Sequence, residues 1–575
     1  MPTYTLGIDF GTLSGRALLV DTADGREVAT AVFDYPHGVI DERLPGSANA
    51  LPPEWALQDP LDYLEAIRQT VPAVLQKSGV APAEVVGLGI DFTSCTILPT
   101  LNDGTPLMAL PEWSAQPHAW VKLWKHHAAQ PQADKINRVA RQRNEPWLAR
   151  YGGKYSSEWF FSKALQLLEE APEVYKAAER LLEAADWTVW QLTGVETRNA
   201  CTAGYKALVQ DGEFPSRDYF AALHPDFADI VDDKMSRDFV QLGDKAGGLT
   251  KTWAEATGLN ENIAVAVANV DAHVTAPAVR ATEPGVMVMI MGTSTCDVMS
   301  SESLREVEGM CGVVENGIIP GLYGYESGQS GVGDIFAWFV DNAVPQADYD
   351  AADKAGLDIY AYLEREAATQ SVGEHGLLAL DWWNGNRSTL VDVELSGLIV
   401  GLTLATRAPD IYRALIEATA FGKREIIGAF ETSGVEVKEL VAAGGLPEKN
   451  RLLRQIYADV TGRPLKLAGS AQAPALGSAI FAAVAAGVYP DIHAASEAMG
   501  SLKEEVVQPI PKNQAVYDRL YQEYKRLYDT FGRGENDVMK TLKSIRREAK
   551  GAGTELRSET QEVEAGVRED SGAGA

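Results

Sequence analysis

Cysteine is scarce in this 575-residue chain, with four residues, Cys95, Cys201, Cys296 and Cys311, widely spaced and without a CxxC pair. That excludes a disulfide framework and a cysteine-based zinc site, and it fits a reducing cytoplasm. Long apolar runs are missing as well. The longest, such as Val286 to Met291, are strand-sized, so no membrane span is read. The N-terminus shows no basic stretch followed by an apolar one, so no export signal is read either. Basic residues are in deficit, 51 against 80 acidic, for a net charge of −29. Such a field repels nucleic acid and anionic lipid, and neither is expected as a partner. An anionic ligand would have to be captured locally, by backbone N–H groups, a few Arg or Lys side chains and a divalent cation.

The remaining composition, 46% hydrophobic and 23% charged, is that of an ordinary globular protein, and the length favours two domains. Tyr4 to Phe10, Arg16 to Asp21 and Glu27 to Phe33 read as three strands joined by Gly-containing turns. Asp59-Pro60 opens a helical pattern through Leu75, and Val85 to Ile90 is a short buried strand. The phrase Gly-Ile-Asp-Phe occurs at 7–10 and again at 89–92. Helices are predicted over Pro117 to Trp124, Trp159 to Glu169 and Pro172 to Ala185, a tryptophan-rich stretch read as core and interface. After a strand at Val265 to Asp271 the chain starts over. A strand ending at Met291 leads into the turn Gly292-Thr293-Ser294, followed later by a helix (Pro409 to Thr432), a strand (Glu439 to Ala443), the pair Gly444-Gly445 and a helix (Asn450 to Thr461). A last helix, Asn513 to Phe531, carries an apolar face that should dock on the body. The expectation is a duplicated α/β fold with a cleft between halves at 1–272 and 273–532, followed by a charged, disordered tail at 533–575.

Phosphate groups are held where successive backbone N–H groups point outward at a tight turn. In Asp9-Phe10-Gly11-Thr12, Gly11 permits close approach, Thr12 and Ser14 add hydroxyls, and Asp9 could hold Mg²⁺. A lone Gly hairpin reads equally well as an ordinary turn. The second one, at Gly292-Thr293, favours a two-sided clamp. Asp271, at a strand end, reads either as a general base or as a cap for the helix that follows. Gly444-Gly445 would let the chain lie flat against a nucleotide, or it ends its strand for steric reasons alone. Cys95 and Cys296 read as small core thiols, and Lys163 is assigned no chemistry.

In their order and separations, Asp9-Phe-Gly-Thr-Leu-Ser-Gly-Arg16, Asp271, Gly292-Thr-Ser and Gly444-Gly445 resemble the FGGY carbohydrate kinases, relatives of actin and hexokinase. Gly397-Leu-Ile-Val-Gly401-Leu followed by Asp410 to Glu417 is similar to that family's C-terminal signature, and the resemblance covers about residues 4–531. Gly11 to Ala17, His37-Gly-Val-Ile-Asp41, Trp55-Ala-Leu-Gln58, Gly89 to Thr96 and Ala185-Asp-Trp187 look most like the bacterial members that act on L-ribulose. The resemblance implies two ribonuclease-H-like domains of the actin and hexokinase type around an interdomain cleft. It also implies transfer of phosphate from MgATP to the 5-hydroxyl of L-ribulose, a step of L-arabinose catabolism. Carried over by position, Asp9, Gly11, Thr12, Ser14 and Arg16 would meet the phosphates and Mg²⁺, with Gly292 and Thr293 on the other side. Gly445 and Asn450 would line the adenosine pocket, and Asp271 would be the base. Thr93, Ser94, Cys95, Lys206 and Glu326 would surround the sugar, the last two reading otherwise as solvated surface charge. Leu13 departs from the more polar residue of some relatives. Family members often pair, which makes a homodimer an expectation of the resemblance alone. Two other readings are a sister kinase acting on xylulose, glycerol or a related polyol, and a non-catalytic nucleotide or sugar switch.

Overall fold

A computed structural model describes residues 2–549. Two mixed seven-stranded sheets organise it, each built from an antiparallel hairpin whose first strand also pairs in parallel with a later one. In the first sheet, β1 (Tyr4–Phe10), β2 (Ser14–Asp21) and β3 (Glu27–Asp34) form the expected meander. β4 (Val85–Phe92) lies parallel to β1, and β5 (Lys245–Gly248), β6 (Ala264–Ala266) and β7 (Asn269–Val270) complete the sheet. In the second sheet, β8 (Val286–Met291) turns into β9 (Thr295–Ser301), which pairs with β11 (Tyr323–Gln329) and through it with β10 (Gly312–Glu315). On its other side β8 runs parallel to β12 (Glu439–Ala443), followed by β13 (Leu465–Ala468) and β14 (Leu502–Val507). The duplication expected from the two Gly-Thr turns is thus a repeated sheet order.

Helices cover both sheets. α1 (Pro60–Ser78) begins where the Asp59 side chain accepts from the Leu61 N–H and Pro60 presets the first turn. α2 (Phe160–Glu170), α3 (Ala200–Lys206) and α4 (Asp271–Ala278) belong to the first half, while α5 (Gly333–Ala343), α6 (Ala408–Thr432) and α7 (Arg451–Thr461) belong to the second. α8 (Ala473–Ala485) follows from the second half in sequence yet packs on β1 and β4 of the first sheet and on α4. It lies unusually close. A Cβ on Gly7 would fall 1.8 Å from the Ala475 carbonyl oxygen, and one on Gly477 would fall 1.8 Å from that of Val274. Only hydrogen fits at those points. α9 (Pro511–Tyr528) docks through Tyr517, Tyr524 and Tyr528 on the second core, as its spacing predicts.

Three departures from the sequence reading stand out. The stretch Pro117 to Trp124 holds a single 3₁₀ turn and a two-residue strand, and Pro172 to Ala185 is interrupted by a strand at Arg180–Glu183. Both strands join a small four-stranded sheet with Leu57–Gln58 and Ile97–Thr100, so non-local pairing overrides local helix preference there. The tryptophan-rich segment packs, as expected, into a separate apolar core around Trp120, Trp147 and Trp159. The expected division at 272/273 falls inside α4. Last, residues 538–549 of the anticipated tail form a helix, α10, which buries Met539. Its apolar residues are too few to signal docking by themselves, and its anchors are Lys and Arg side chains. The remainder of the tail, 550–575, lies outside the described residues.

Candidate active site

Parallel pairing puts the ends of β1, β4 and β7 side by side, with Asp9 opposite Asp91 and Asn269 opposite Asp91 from the other side. Asp271 follows directly as the first residue of α4. Three carboxylates therefore gather at the carboxyl ends of adjacent parallel strands, where open α/β sheets bind ligands. Asp91 is fully buried. Its Oδ2 accepts a 2.5 Å hydrogen bond from Ser478 of α8, and burial followed by the charge of Asp9 pushes its carboxyl well up. Burial also raises Asp9, opposed by Arg16, whose guanidinium stands 3.5 Å away across the hairpin. Asp271 is pushed up to about 7, first by burial and then by the charge of Asp9, against a 2.6 Å hydrogen bond from the Ala272 N–H. A carboxyl poised there is matched to general-base work at neutral pH.

The hairpin beyond Asp9 is closed by the Gly11 N–H bonding the Ser14 carbonyl at 3.0 Å and presents Leu13 to solvent at its tip. Gln58 Nε2 donates to the Thr12 carbonyl at 2.7 Å and Trp124 Nε1 donates to Thr12 Oγ1 at 3.1 Å. The turn is held from behind. In the second sheet, parallel pairing of β8 with β12 sets Gly292-Thr293 beside Gly444-Gly445. The Thr293 carbonyl accepts from the N–H groups of Val332 and Asp334, at 2.8 and 3.2 Å, which ties this turn to the start of α5. Gly444 has φ +95, and a Cβ there would meet the Met291 carbonyl oxygen at 2.5 Å, whereas Gly445 faces open space. Asn450 behaves differently. It caps α7, with Oδ1 accepting from the Leu453 N–H and Nδ2 donating to the Tyr412 hydroxyl, so its carboxamide is occupied within the fold.

On the sugar side of the sequence reading, Thr93 Oγ1 and Thr96 Oγ1 are 2.9 Å apart, Ser94 is half-buried, and Cys95 adopts a left-handed φ of +61. Burial pushes the Cys95 thiol up to about 12, so it is no nucleophile at neutral pH. Its carbonyl matters more, accepting from Lys163 Nζ at 2.6 Å. The same buried ammonium donates at 2.7 Å to Leu123, next to Trp124. Lys206 and Glu326, one from each half, are both buried and bonded at 2.8 and 3.0 Å, which removes the surface-charge reading. His273 Nε2 lies 3.1 Å from Glu326 Oε2, and Arg387 donates to Oε1 at 2.6 Å.

Family models match both halves of the chain. Residues 4–277 match the N-terminal domain of the FGGY family of carbohydrate kinases, and residues 287–486 match its C-terminal domain. The chain belongs to the FGGY family of carbohydrate kinases. It is 56% identical to the ribulokinase of Geobacillus thermodenitrificans over 96% of this chain and 98% of that one. It is 38% identical to the ribulokinase of Staphylococcus aureus strain Newman over 95% of this chain and 100% of that one. Among solved structures, the xylulose kinase of Rhodospirillum rubrum superposes with a TM-score of 0.73 at 22% identity, covering 92% of this chain and 98% of that one. The glycerol kinase of Plasmodium falciparum does so with a TM-score of 0.71 at 15% identity, covering 92% and 98%. Both share the two-domain FGGY fold.

Within this FGGY kinase, the structure brings Asp9, Arg16 and Asp271 into one cluster and draws Lys206 and Glu326 together beside it. It aligns Gly292 and Thr293 with Gly445 across the second sheet. Asp91, His273 and Arg387 were given no role in the sequence reading, and Lys163 was named there without chemistry. The repeated Gly-Ile-Asp-Phe was the one signal for Asp91. The others reveal themselves only through contacts between residues distant in sequence. Among the described residues, no helix is long and apolar enough to cross a membrane.

Proposed function

We propose that this FGGY kinase transfers the γ-phosphoryl group of ATP to the 5-hydroxyl of L-ribulose, the ketopentose step of L-arabinose catabolism, in the cytoplasm. The observation that carries the reaction type is the gathering of Asp9, Asp91 and Asp271 at the ends of β1, β4 and β7, with Asp271 pushed up to about 7. The ribulokinase relatives support the choice of sugar.

Asp271 takes the proton of the attacking hydroxyl as its oxygen bonds to the γ-phosphorus, while the bond from that phosphorus to the β–γ bridging oxygen breaks and ADP leaves on the side of the Gly292-Thr293 turn. The N–H groups of the Gly11-Thr12 turn, with Ser14 and Arg16, meet the phosphates from the first half. Thr293 does so from the second, and the surface at Gly445 offers open backbone to the adenosine. Asp9, the member of this cluster paired with Arg16 at 3.5 Å, is the residue that would hold Mg²⁺, directly or through water. When bound, Mg²⁺ would neutralise phosphate charge. Lys206 and the Thr93–Cys95 turn orient the ketose, and closure of the two halves excludes water, which would otherwise accept the phosphoryl group.

An acceptor panel of L-ribulose, D-ribulose, D- and L-xylulose, glycerol and gluconate, read as ATP consumed, tests the substrate. L-Ribulose should give the highest kcat/KM. A higher value for another acceptor would reassign the sugar, and no acceptor-dependent turnover at all would remove the kinase reading in favour of a nucleotide switch.

A further inference from the structure

Glu326 has no spare acceptor capacity in this arrangement. Oε1 receives Lys206 at 3.0 Å and Arg387 at 2.6 Å, while Oε2 receives Lys206 at 2.8 Å and His273 at 3.1 Å. A carboxylate offers about four lone-pair positions, so in this arrangement the free hydrogen-bonding capacity of the cluster lies on its cations. Their accessibility separates them. The side chains of His273, Lys206 and Glu326 are 0%, 2% and 3% exposed, whereas Arg387 is 31% exposed. Arg387 is therefore the most accessible member of this buried cluster. Its Nε donates to Cys311 Sγ at 3.1 Å and its Nη2 to Glu326, which leaves three of five N–H donors in a fixed planar fork. A vicinal diol offers two lone-pair acceptors at the spacing such a fork prefers.

The loop that carries Arg387 is fastened from a distant part of the chain. Asn386 and Asp392 exchange backbone hydrogen bonds of 2.8 and 2.9 Å, which closes the loop on itself. Helix α10 then grips its far side. Lys543 Nζ donates to the carbonyls of Val393 and Leu395 at 2.7 and 2.9 Å, Lys540 pairs with Asp392 at 2.9 Å, and Arg547 bonds Glu394 at 2.8 Å. Tyr528, at the end of α9, lies 2.9 Å from Thr389 Oγ1. These contacts span 139 to 153 residues of sequence and converge on a loop whose chemically active member is Arg387.

We propose that Arg387 is a further substrate-contacting residue of the sugar site, donating to hydroxyl oxygens of the acceptor, and that α10 is the element that positions it. The inference rests on the reading of the Lys206–Glu326 cluster as the sugar side. The test measures steady-state kinetics of Arg387→Met for whichever acceptor the wild type uses best, so the identity of the sugar can be wrong without deciding this point. Loss of a hydrogen bond from a charged donor should raise the acceptor KM roughly ten- to hundredfold. The KM for MgATP should stay within about threefold, because the phosphates are held elsewhere. Arg387→Lys, which keeps the charge without the fork, should recover only part of the loss. Lys540→Ala/Lys543→Ala, which frees the loop without touching the cluster, should raise the acceptor KM by a smaller factor, and circular dichroism should show all variants folded. A folded Arg387→Met enzyme with a wild-type acceptor KM overturns the contact, and an unchanged KM in the double variant overturns the role of α10. Lys206→Met is the reference. If it too leaves the acceptor KM unchanged, the sugar-side reading has failed. If it raises KM while Arg387→Met does not, only this proposal has.

Discussion

Asp271 carries opposing influences whose balance is open to measurement. Burial, then the nearby charges of Asp9 and Glu326, favour its protonated form, and the Ala272 N–H and the charge of Lys206 oppose them. A base must be ionised to accept a proton. At saturating MgATP, kcat/KM for the acceptor should therefore climb about tenfold per pH unit on the acid side, bend at about pH 7, where Asp271 is half-ionised, and level off above it. Asp271→Asn should bind both substrates nearly normally and lose turnover roughly 10²–10⁴-fold, and the acid limb should vanish from its profile. An unaltered limb in that variant would assign the titration elsewhere. Linkage gives a second reading with a fixed sign. Because the fold raises this proton affinity above the ordinary 3.8, Asp271 costs the ligand-free protein stability as pH rises from there through about 7. Glu326 acts in the opposite sense. Lys206 and its other donors outweigh burial and hold it well below 4.5, so its contribution is full above 4.5 and lost as pH falls through the lowered value.

At the scale of elements, the docking of α8 connects packing to chemistry. Gly477 lets α8 touch α4 at the Val274 carbonyl, and α4 begins with Asp271. Gly477→Ala places a methyl where the backbone oxygen stands 1.8 Å away, so one helix must move. The expected result is a loss of about 1–3 kcal/mol or more in chemical denaturation together with a fall in kcat. Gly428→Ala is the control. That glycine lies within α6 with nothing within 4 Å of an added Cβ, so the substitution should gain up to about 1 kcal/mol and leave kcat alone. A Gly477→Ala enzyme with wild-type kcat would uncouple α8 from the base. Elements of this kind also mark how far sequence reading reaches. Strands ending in Gly-Thr turns were legible because period and turn chemistry are local, as were α1, α6 and α9 from caps and apolar spacing. Arg180–Glu183 was not, because its partner is Ile97–Thr100, about eighty residues away. The site divides the same way. Asp9, Asp271 and the two turns announce themselves in local motifs. Lys163 and Arg387 act through a carbonyl and a carboxylate brought to them by the fold, and Asn450, local in its motif, is occupied as a cap.

Across the whole molecule, the buried charge cluster joins the halves, with Lys206 supplied by α3 and Glu326 by β11. Removing either partner of a buried pair is costly because the other is left uncompensated, and here the two removals are unequal. Lys206→Met leaves Glu326 with Arg387 and His273, at 2.6 and 3.1 Å, so its charge stays answered. Glu326→Leu leaves Lys206 without a carboxylate, since Glu326 is its one ion-pair partner among the described residues. Trp159 and Tyr205 offer only ring faces, 5.3 and 5.8 Å from its Nζ. The Glu326 variant should therefore lose about 3–5 kcal/mol, and Lys206→Met clearly less. Lys206→Met/Glu326→Leu should recover much of the stability lost by Glu326→Leu, since it strands no buried ammonium, yet recover none of the acceptor affinity. Urea denaturation of the three variants beside their kinetics checks the argument. Equal losses for the two single variants would mean that Arg387 and His273 do not sustain Glu326. Restored sugar binding in the double variant would mean that the cluster serves only to hold the halves together.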